Sequence, residues 1–361
     1  MRERGDIMVS PHFHWPQLKL PARIFVYEHV SGGGMASAPL PGSLRVEGQA
    51  MLQAMLQDLD RLPGVEVVAT LDARLESREL PGEVHPVARA TEGQRLFRQL
   101  AGEAQGTLVI APEIGGCLQH VSETVLDAGG LLLGADPRGV EVAGDKVATA
   151  VWLERAGVPC VATRLLSEAP RDLPGPVVVK PRHGAGSEGV RLHEALPWVS
   201  DARGGDAVVS PYVDGLAASV LVIVGRSRTV PLLACRQHLS RDGRFAYLGG
   251  ALPLPDAEAA RASSLARRAV ESLPGLRGFA GVDLILSRSG ADGDRVIEVN
   301  PRLTTSYCGL RRAARSNLAA CWLDAWTGKG PGEPEWSSRC LRFGRDGSVR
   351  FEGSPHAACR T

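Results

Sequence analysis

The chain has 361 residues, 44% of them hydrophobic and 22% charged, which suits a globular protein of two or three structural units. Its 41 Lys and Arg against 40 Asp and Glu exclude a bulk field for nucleic acid or an anionic membrane, so any anion site must be local. The 7 cysteines, scattered and never in a C-x-x-C pair, argue for reduced thiols in a cytoplasm rather than a disulfide framework.

Residues 1–21 contain no apolar run long enough for a signal peptide or a membrane span and read as an irregular leader. His12 and His14 there lack the further ligands a metal would need and read as surface residues. Arg23 to Glu28 is a short strand entering the glycine-rich Ser31-Gly32-Gly33-Gly34. Leu44, Met51, Leu52, Met55, Leu56 and Leu59 recur at helical spacing over Ser43 to Leu59, and Pro63-Gly64 stops that helix before a strand at Val65 to Ala69. A helix at Gln94 to Ala104, a buried strand at Thr107 to Glu113, a helix at Leu118 to Ala128 and a strand at Leu131 to Gly134 complete an alternation that predicts a parallel, doubly wound α/β sheet. Ligands gather at the carboxyl ends of such strands, where Glu28 and Glu113 fall. Each is equally suited to hold a substrate ammonium or to cap a loop or helix amide.

From Asp136 the texture becomes α+β. A helix at Lys146 to Ala156 gives way to strands at Val177 to Lys180, Gly189 to His193, Ala207 to Ser210, Ala218 to Val224 and Thr229 to Ala234. A helix at Ala257 to Leu273, strands at Gly281 to Leu286 and Arg295 to Val299, and a helix from about Ser306 follow. Residues 329–361 are expected over the surface as loops and a short hairpin.

Gly184-Ala185-Gly186-Ser187-Glu188-Gly189 satisfies G-x-G-x-x-G, but the dinucleotide fingerprint needs a helix next, and Gly189 to His193 alternates like a strand. A nucleophile elbow fails on the same context. What remains is a glycine-rich hairpin tip with Lys180 at the end of its first strand and Ser187 at its apex. Its amides suit phosphates, with a plain mobile hairpin as the alternative. No Walker P-loop occurs in the sequence.

The strongest signal is a pair of apolar strands interrupted by carboxylates, around Asp283 and around Glu298 and Asn300. Glu298 and Asn300, two apart, share a face, and a turn near residues 290–291 sets Asp283 across from Glu298. Two close carboxylates and an amide oxygen suit Mg²⁺ or Mn²⁺, a cation that also takes phosphate oxygens. Arg302, just beyond, can grip a phosphoryl group or a carboxylate bidentately. Thr304, Thr305 and Ser306 offer hydroxyls at the entrance to the next helix, where capping is the simpler role for the last two.

In this order the pieces resemble the ATP-grasp superfamily over roughly Ala22 to Trp326. That resemblance implies a Rossmann-like domain at 22–135, then an ATP-grasp domain of two α+β subdomains, a lid at 136–208 and a metal-bearing part at 209–328, with 329–361 as a surface tail. It also implies nucleotide lysines at Lys146 and Lys180 and a phosphate-covering loop from Gly184 to Gly189. Adenine would meet the backbone of the linker Val209-Ser210-Pro211-Tyr212-Val213. The family's usual acids are missing from this stretch, which leaves Asp214, or no charged group, for the ribose. Glu28 to Gly34, Ile110 to Glu113 and Asn300 to Tyr307 look like the tyramine–glutamate ligase group of methanofuran biosynthesis. This implies ATP and Mg²⁺, glutamate activated as an acyl-phosphate, and tyramine or a related aromatic amine such as tyrosine as nucleophile, with Lys180 and Arg302 catalytic. Glu28, Glu113, Thr304, Thr305 and Ser306 are then the candidate substrate contacts. An ATP-grasp small-molecule kinase and a non-catalytic ATP-binding regulator stand as alternatives, and the expected partners are small molecules, with oligomeric state left open.

Overall fold

The computed structural model describes residues 17–76, 80–170, 172–197, 206–329 and 333–352. His12, His14 and most of the leader lie outside them, as does Cys359.

The first half is built from Ala22–Glu28 (β1), Gly42–Leu59 (α1), Val65–Asp72 (β2), Glu83–Val87 (β3), Ala90–Glu103 (α2), Gly106–Ile110 (β4) and Cys117–Asp127 (α3). The strands form a parallel sheet in the order β3-β2-β1-β4. Strand β3 was not expected, because Pro86 and the polar Glu83 and His85 break the apolar signal; an edge position tolerates them. The strand expected at Leu131 to Gly134 makes a single bridge, Thr107 to Leu132, and Leu133 instead packs its side chain over Gly106. Strand β4 ends at Ile110, so Glu113 sits in the turn beyond it.

Next come Pro137–Gly144 (α4), Lys146–Arg155 (α5), Arg164–Leu165 (β5), Val177–Pro181 (β6), Arg191–His193 (β7) and Ala207–Pro211 (β8). Their strands form a four-stranded antiparallel sheet, β5-β8-β6-β7, whose buried core is Leu166, Val177 and Val209. Helices α4 and α5 bury Val140, Val142, Ala143 and Leu153 in a larger core shared with the rest of the molecule. The chain leaves this sheet only after Pro211.

The remainder is Leu216–Val224 (β9), Thr229–Pro231 (β10), Cys235–Leu239 (β11), Tyr247–Leu252 (β12), Asp256–Ser272 (α6), Gly278–Leu286 (β13), Arg295–Asn300 (β14), Ser306–Ala313 (α7), Leu318–Thr327 (α8), Leu341–Gly344 (β15) and Val349–Phe351 (β16). An antiparallel sheet runs β14-β13-β9-β11-β12-β15-β16, with β10 on the other part of β9. Successive residues of β9 feed two different cores: Leu221 and Ile223 join the core with α1, α7 and α8, and Val220 and Val222 join the core with α6. Burial on both faces is why these strands read as continuous apolar runs. Ile24 and Val26 of β1 face the first core and Phe25 and Tyr27 the second, so both sheets share the same two layers.

The hairpin expected in the tail is present, but it is not a surface cover. Strand β15 pairs with β12 and buries Leu341 and Phe343 in the main core. Gly249 makes this approach feasible: a Cβ there would run into the Phe343 carbonyl oxygen.

Candidate functional site

The β13–β14 hairpin sets Asp283 opposite Glu298 and Gly281 opposite Asn300, with a bulge between Asp283 and Leu284. Asp283, Glu298 and Asn300 line one cavity of about 250 Å³ that is also walled by the four-stranded sheet. Lys146, Lys180, Ser210, Tyr212 and Val213 line it, as do Gly184, Gly186 and Ser187 of the glycine loop. Arg302, Thr304, Thr305 and Ser306 line it as well. Gly189, Asp214, Glu28 and Glu113 do not.

Asp283 accepts hydrogen bonds from Gln237 Nε2 at 2.9 Å and Asn300 Nδ2 at 3.3 Å. Burial, and then the charge of Glu298, push its carboxyl well above the ordinary range. For Glu298 burial works upward too, but Lys146, Lys180 and Arg302 outweigh it and hold the carboxyl below its usual value. Lys146 Nζ lies 3.5 Å from Glu298 Oε2 and donates to the Gly184 carbonyl at 3.3 Å, which ties the loop to the acidic hairpin. Burial pushes the Lys180 ammonium below its ordinary value, with Glu298 pulling the other way. The hard oxygen donors of Asp283, Glu298 and Asn300 fit a magnesium or manganese ion, and the uncompensated carboxyl at Asp283 is what such a cation would relieve. Among the described residues no three His, Cys, Asp or Glu side chains form a metal-holding group, so further coordination would fall to phosphate oxygens and water.

The loop between β6 and β7 turns through left-handed residues, Gly186 at φ +67°, Ser187 at +59° and Gly189 at +73°. Ser187 carries the strain of that conformation, at a tip that approaches Leu44 of α1. Asp145 anchors the loop's base: it caps α5 through the Val147 and Ala148 amides and takes Arg182 on both oxygens, at 3.0 and 2.6 Å. In the linker, Ser210 is buried and shares a hydrogen bond with Thr163 Oγ1 at 2.9 Å, and the Tyr212 ring lies 6.2 Å from that of Phe245, nearly parallel.

The remaining expected contacts fall out differently. Glu28 is buried and accepts from the Val30 amide and from the Ser31 amide and hydroxyl, so it caps its own loop. Glu113 neither caps a helix nor faces the cavity; it takes Arg302 bidentately at 3.0 and 3.1 Å, with both side chains largely buried. Thr305 is the residue before α7 but makes no capping bond. Its hydroxyl donates to Glu47 Oε2 at 3.2 Å, while the hydroxyls of Thr304 and Ser306 pair with each other at 2.9 Å. Glu47, Gln237 and Tyr247 line the cavity and were not singled out from sequence. Gln237 and Tyr247 lie on strands whose polar and glycine-rich sequences hide them; Glu47 looks like any polar residue of an amphipathic helix.

Residues 143–306 match the family described as ATP-grasp domain, and residues 65–140 match the pre ATP-grasp 3 domain. The chain is similar to the tyramine–L-glutamate ligase of Methanocaldococcus jannaschii, 24% identical over 271 residues that make up 73% of this chain and 78% of the relative. It is also similar to the ligase of the same name from Methanocaldococcus fervens, at 27% over 205 residues, 56% of this chain and 60% of the relative. Among solved structures, an ATP-grasp superfamily protein from Archaeoglobus fulgidus superposes with a TM-score of 0.69 at 22% identity, covering 89% of this chain and 92% of that one. An L-amino acid ligase from Bacillus licheniformis gives 0.64 at 17%, covering 90% and 79%. At these identities the structural likeness establishes the fold.

Proposed function

We propose that this chain, whose residues 143–306 match the ATP-grasp domain, is an ATP-dependent carboxylate–amine ligase that joins glutamate to an aromatic primary amine, tyramine or tyrosine. The observation that carries the reading is a single cavity in which an oxygen-donor set, two lysines and a glycine loop meet Arg302 and the hydroxyls before α7. The choice of glutamate and tyramine is supported by the likeness to the two Methanocaldococcus ligases.

In this reading Lys146, Lys180 and the amides of Gly184 to Ser187 hold the ATP phosphates, and the linker Ser210 to Val213 lies along the adenine. Asp214, outside the cavity, takes no part in our assignment. A magnesium or manganese ion held by Asp283, Glu298 and Asn300 would neutralise phosphate charge as it develops. Arg302, fixed by Glu113, keeps N–H groups for the acyl substrate, whose carboxylate oxygen attacks the γ-phosphorus and expels ADP. The amine nitrogen then attacks the acyl carbon, and the carbon–oxygen bond to phosphate breaks. Closure of the glycine loop keeps water from the acyl-phosphate.

The test is release of ADP and phosphate with glutamate, with and without tyramine or tyrosine. Amine-dependent phosphate release with formation of the γ-glutamyl amide is expected. A phosphorylated product that persists in the presence of amine would replace the ligase by a kinase, and no turnover with any acid and amine would favour an ATP-binding regulator.

A further inference from the structure

Four acids line the cavity: Glu47, Glu188, Asp283 and Glu298. Glu298 has Lys146, Asp283 has the amides of Gln237 and Asn300, and Glu188 belongs to the covering loop. Glu47 is different. It comes from α1, in the parallel-sheet half, and its hydrogen-bond partner is the hydroxyl of Thr305. No ion pair is formed with it among the described residues. Arg302 lies within electrostatic reach but is turned onto Glu113, and the exposed Arg345 acts on Glu47 only through its field. Glu47 and Tyr247 line the same cavity as Asp283 and Glu298 of the acidic hairpin. A half-buried carboxylate that faces a ligand cavity and forms no ion pair among the described residues is a place for a cation. The ligase reaction brings a cation of its own, the ammonium group of the amine.

We propose that Glu47 receives the ammonium group of the amine substrate and takes a proton from it as the amide bond forms. The assignment rests on the ligase reading above. The ammonium passes one proton to the Glu47 carboxylate, which frees the nitrogen lone pair. That pair forms the bond to the acyl carbon, the bond from carbon to phosphate oxygen breaks with its electrons leaving on phosphate, and the second nitrogen proton departs with the phosphate. Burial, which pushes the Glu47 carboxyl above its ordinary value, makes it the better acceptor, with the Thr305 hydroxyl and Arg302 pulling the other way.

The test uses two nucleophiles on the full chain with ATP, Mg²⁺ and glutamate. Hydroxylamine, uncharged at neutral pH, traps the acyl-phosphate as a hydroxamate without needing an ammonium site; tyramine arrives as a cation. Glu47→Gln keeps an acceptor for Thr305, and so should fold. It is expected to retain hydroxamate formation and the KM for ATP while kcat/KM for tyramine falls about a hundredfold. That loss should shrink as rising pH supplies free amine, and Glu47→Asp should restore part of the activity. Parallel loss of hydroxamate and amide, or no loss of either, overturns the assignment. If the wild-type chain makes hydroxamate but no amide from tyramine, tyrosine or ammonia, the assignment falls alone. If it makes no hydroxamate from any acid, the ligase reading falls and the assignment with it.

Discussion

The eight-stranded sheet lies between two cores that each draw on both halves of the chain, whereas the four-stranded sheet across the cavity rests on Leu166, Val177 and Val209. The proposed cation ligands, Asp283, Glu298 and Asn300, stand on the deep sheet, and the glycine loop proposed to close over the phosphates stands on the shallow one. Local stability follows buried apolar contact, so the division separates a rigid chemical floor from a cover that can open without disturbing it. Lys180 bridges the two, since it is rooted in the shallow sheet yet lies in the electrostatic field of Glu298 and Asp283.

The largest effect that would test this division is on the floor. Asp283→Asn keeps the side chain's shape and its place opposite Glu298 but removes one charge; turnover should fall roughly a thousandfold, or about 4 kcal/mol in the barrier, with the fold intact by circular dichroism. A variant retaining full Mg²⁺-dependent turnover would move the chemistry off the hairpin. Smaller, and read in stability, is Glu113→Ala: it removes the bidentate partner of the largely buried Arg302, and denaturant unfolding should report a loss of about 3 kcal/mol. Smallest is Val177→Ala in the shallow core, about 2 kcal/mol. Hydrogen exchange should localise it to β5 through β8, and faster exchange in β9 and β13 as well would show that the sheets open as one unit.

The acidic hairpin was legible because everything that defines it is local. Alternation put Glu298 and Asn300 on one face, and the turn chemistry of residues 289–293 fixed the register to Asp283. The wall around it was not. Gln237 reaches Asp283 across 46 positions of sequence, from the strand Cys-Arg-Gln-His-Leu, whose polar middle erases the apolar pattern that announces a strand. Glu113 and Arg302, 189 positions apart, were each recognised as functional types, but sequence spacing carries no information that they meet. The same holds for Thr305, whose helix-entry position suggested a cap while α1, 258 positions earlier, offered it Glu47.

The pairing of β12 with β15 has a consequence for synthesis. Leu252 of β12 waits for Leu341, about ninety residues later, before its free edge is covered. At 5–20 residues per second that edge emerges from the ribosome roughly 4 to 18 s ahead of the strand that covers it. During that interval the nascent chain displays an unpaired strand of mostly apolar residues, the feature that templates association between chains. Yield on expression should therefore respond to translation speed and to chaperones that shield strand edges, even though the finished fold has that edge covered.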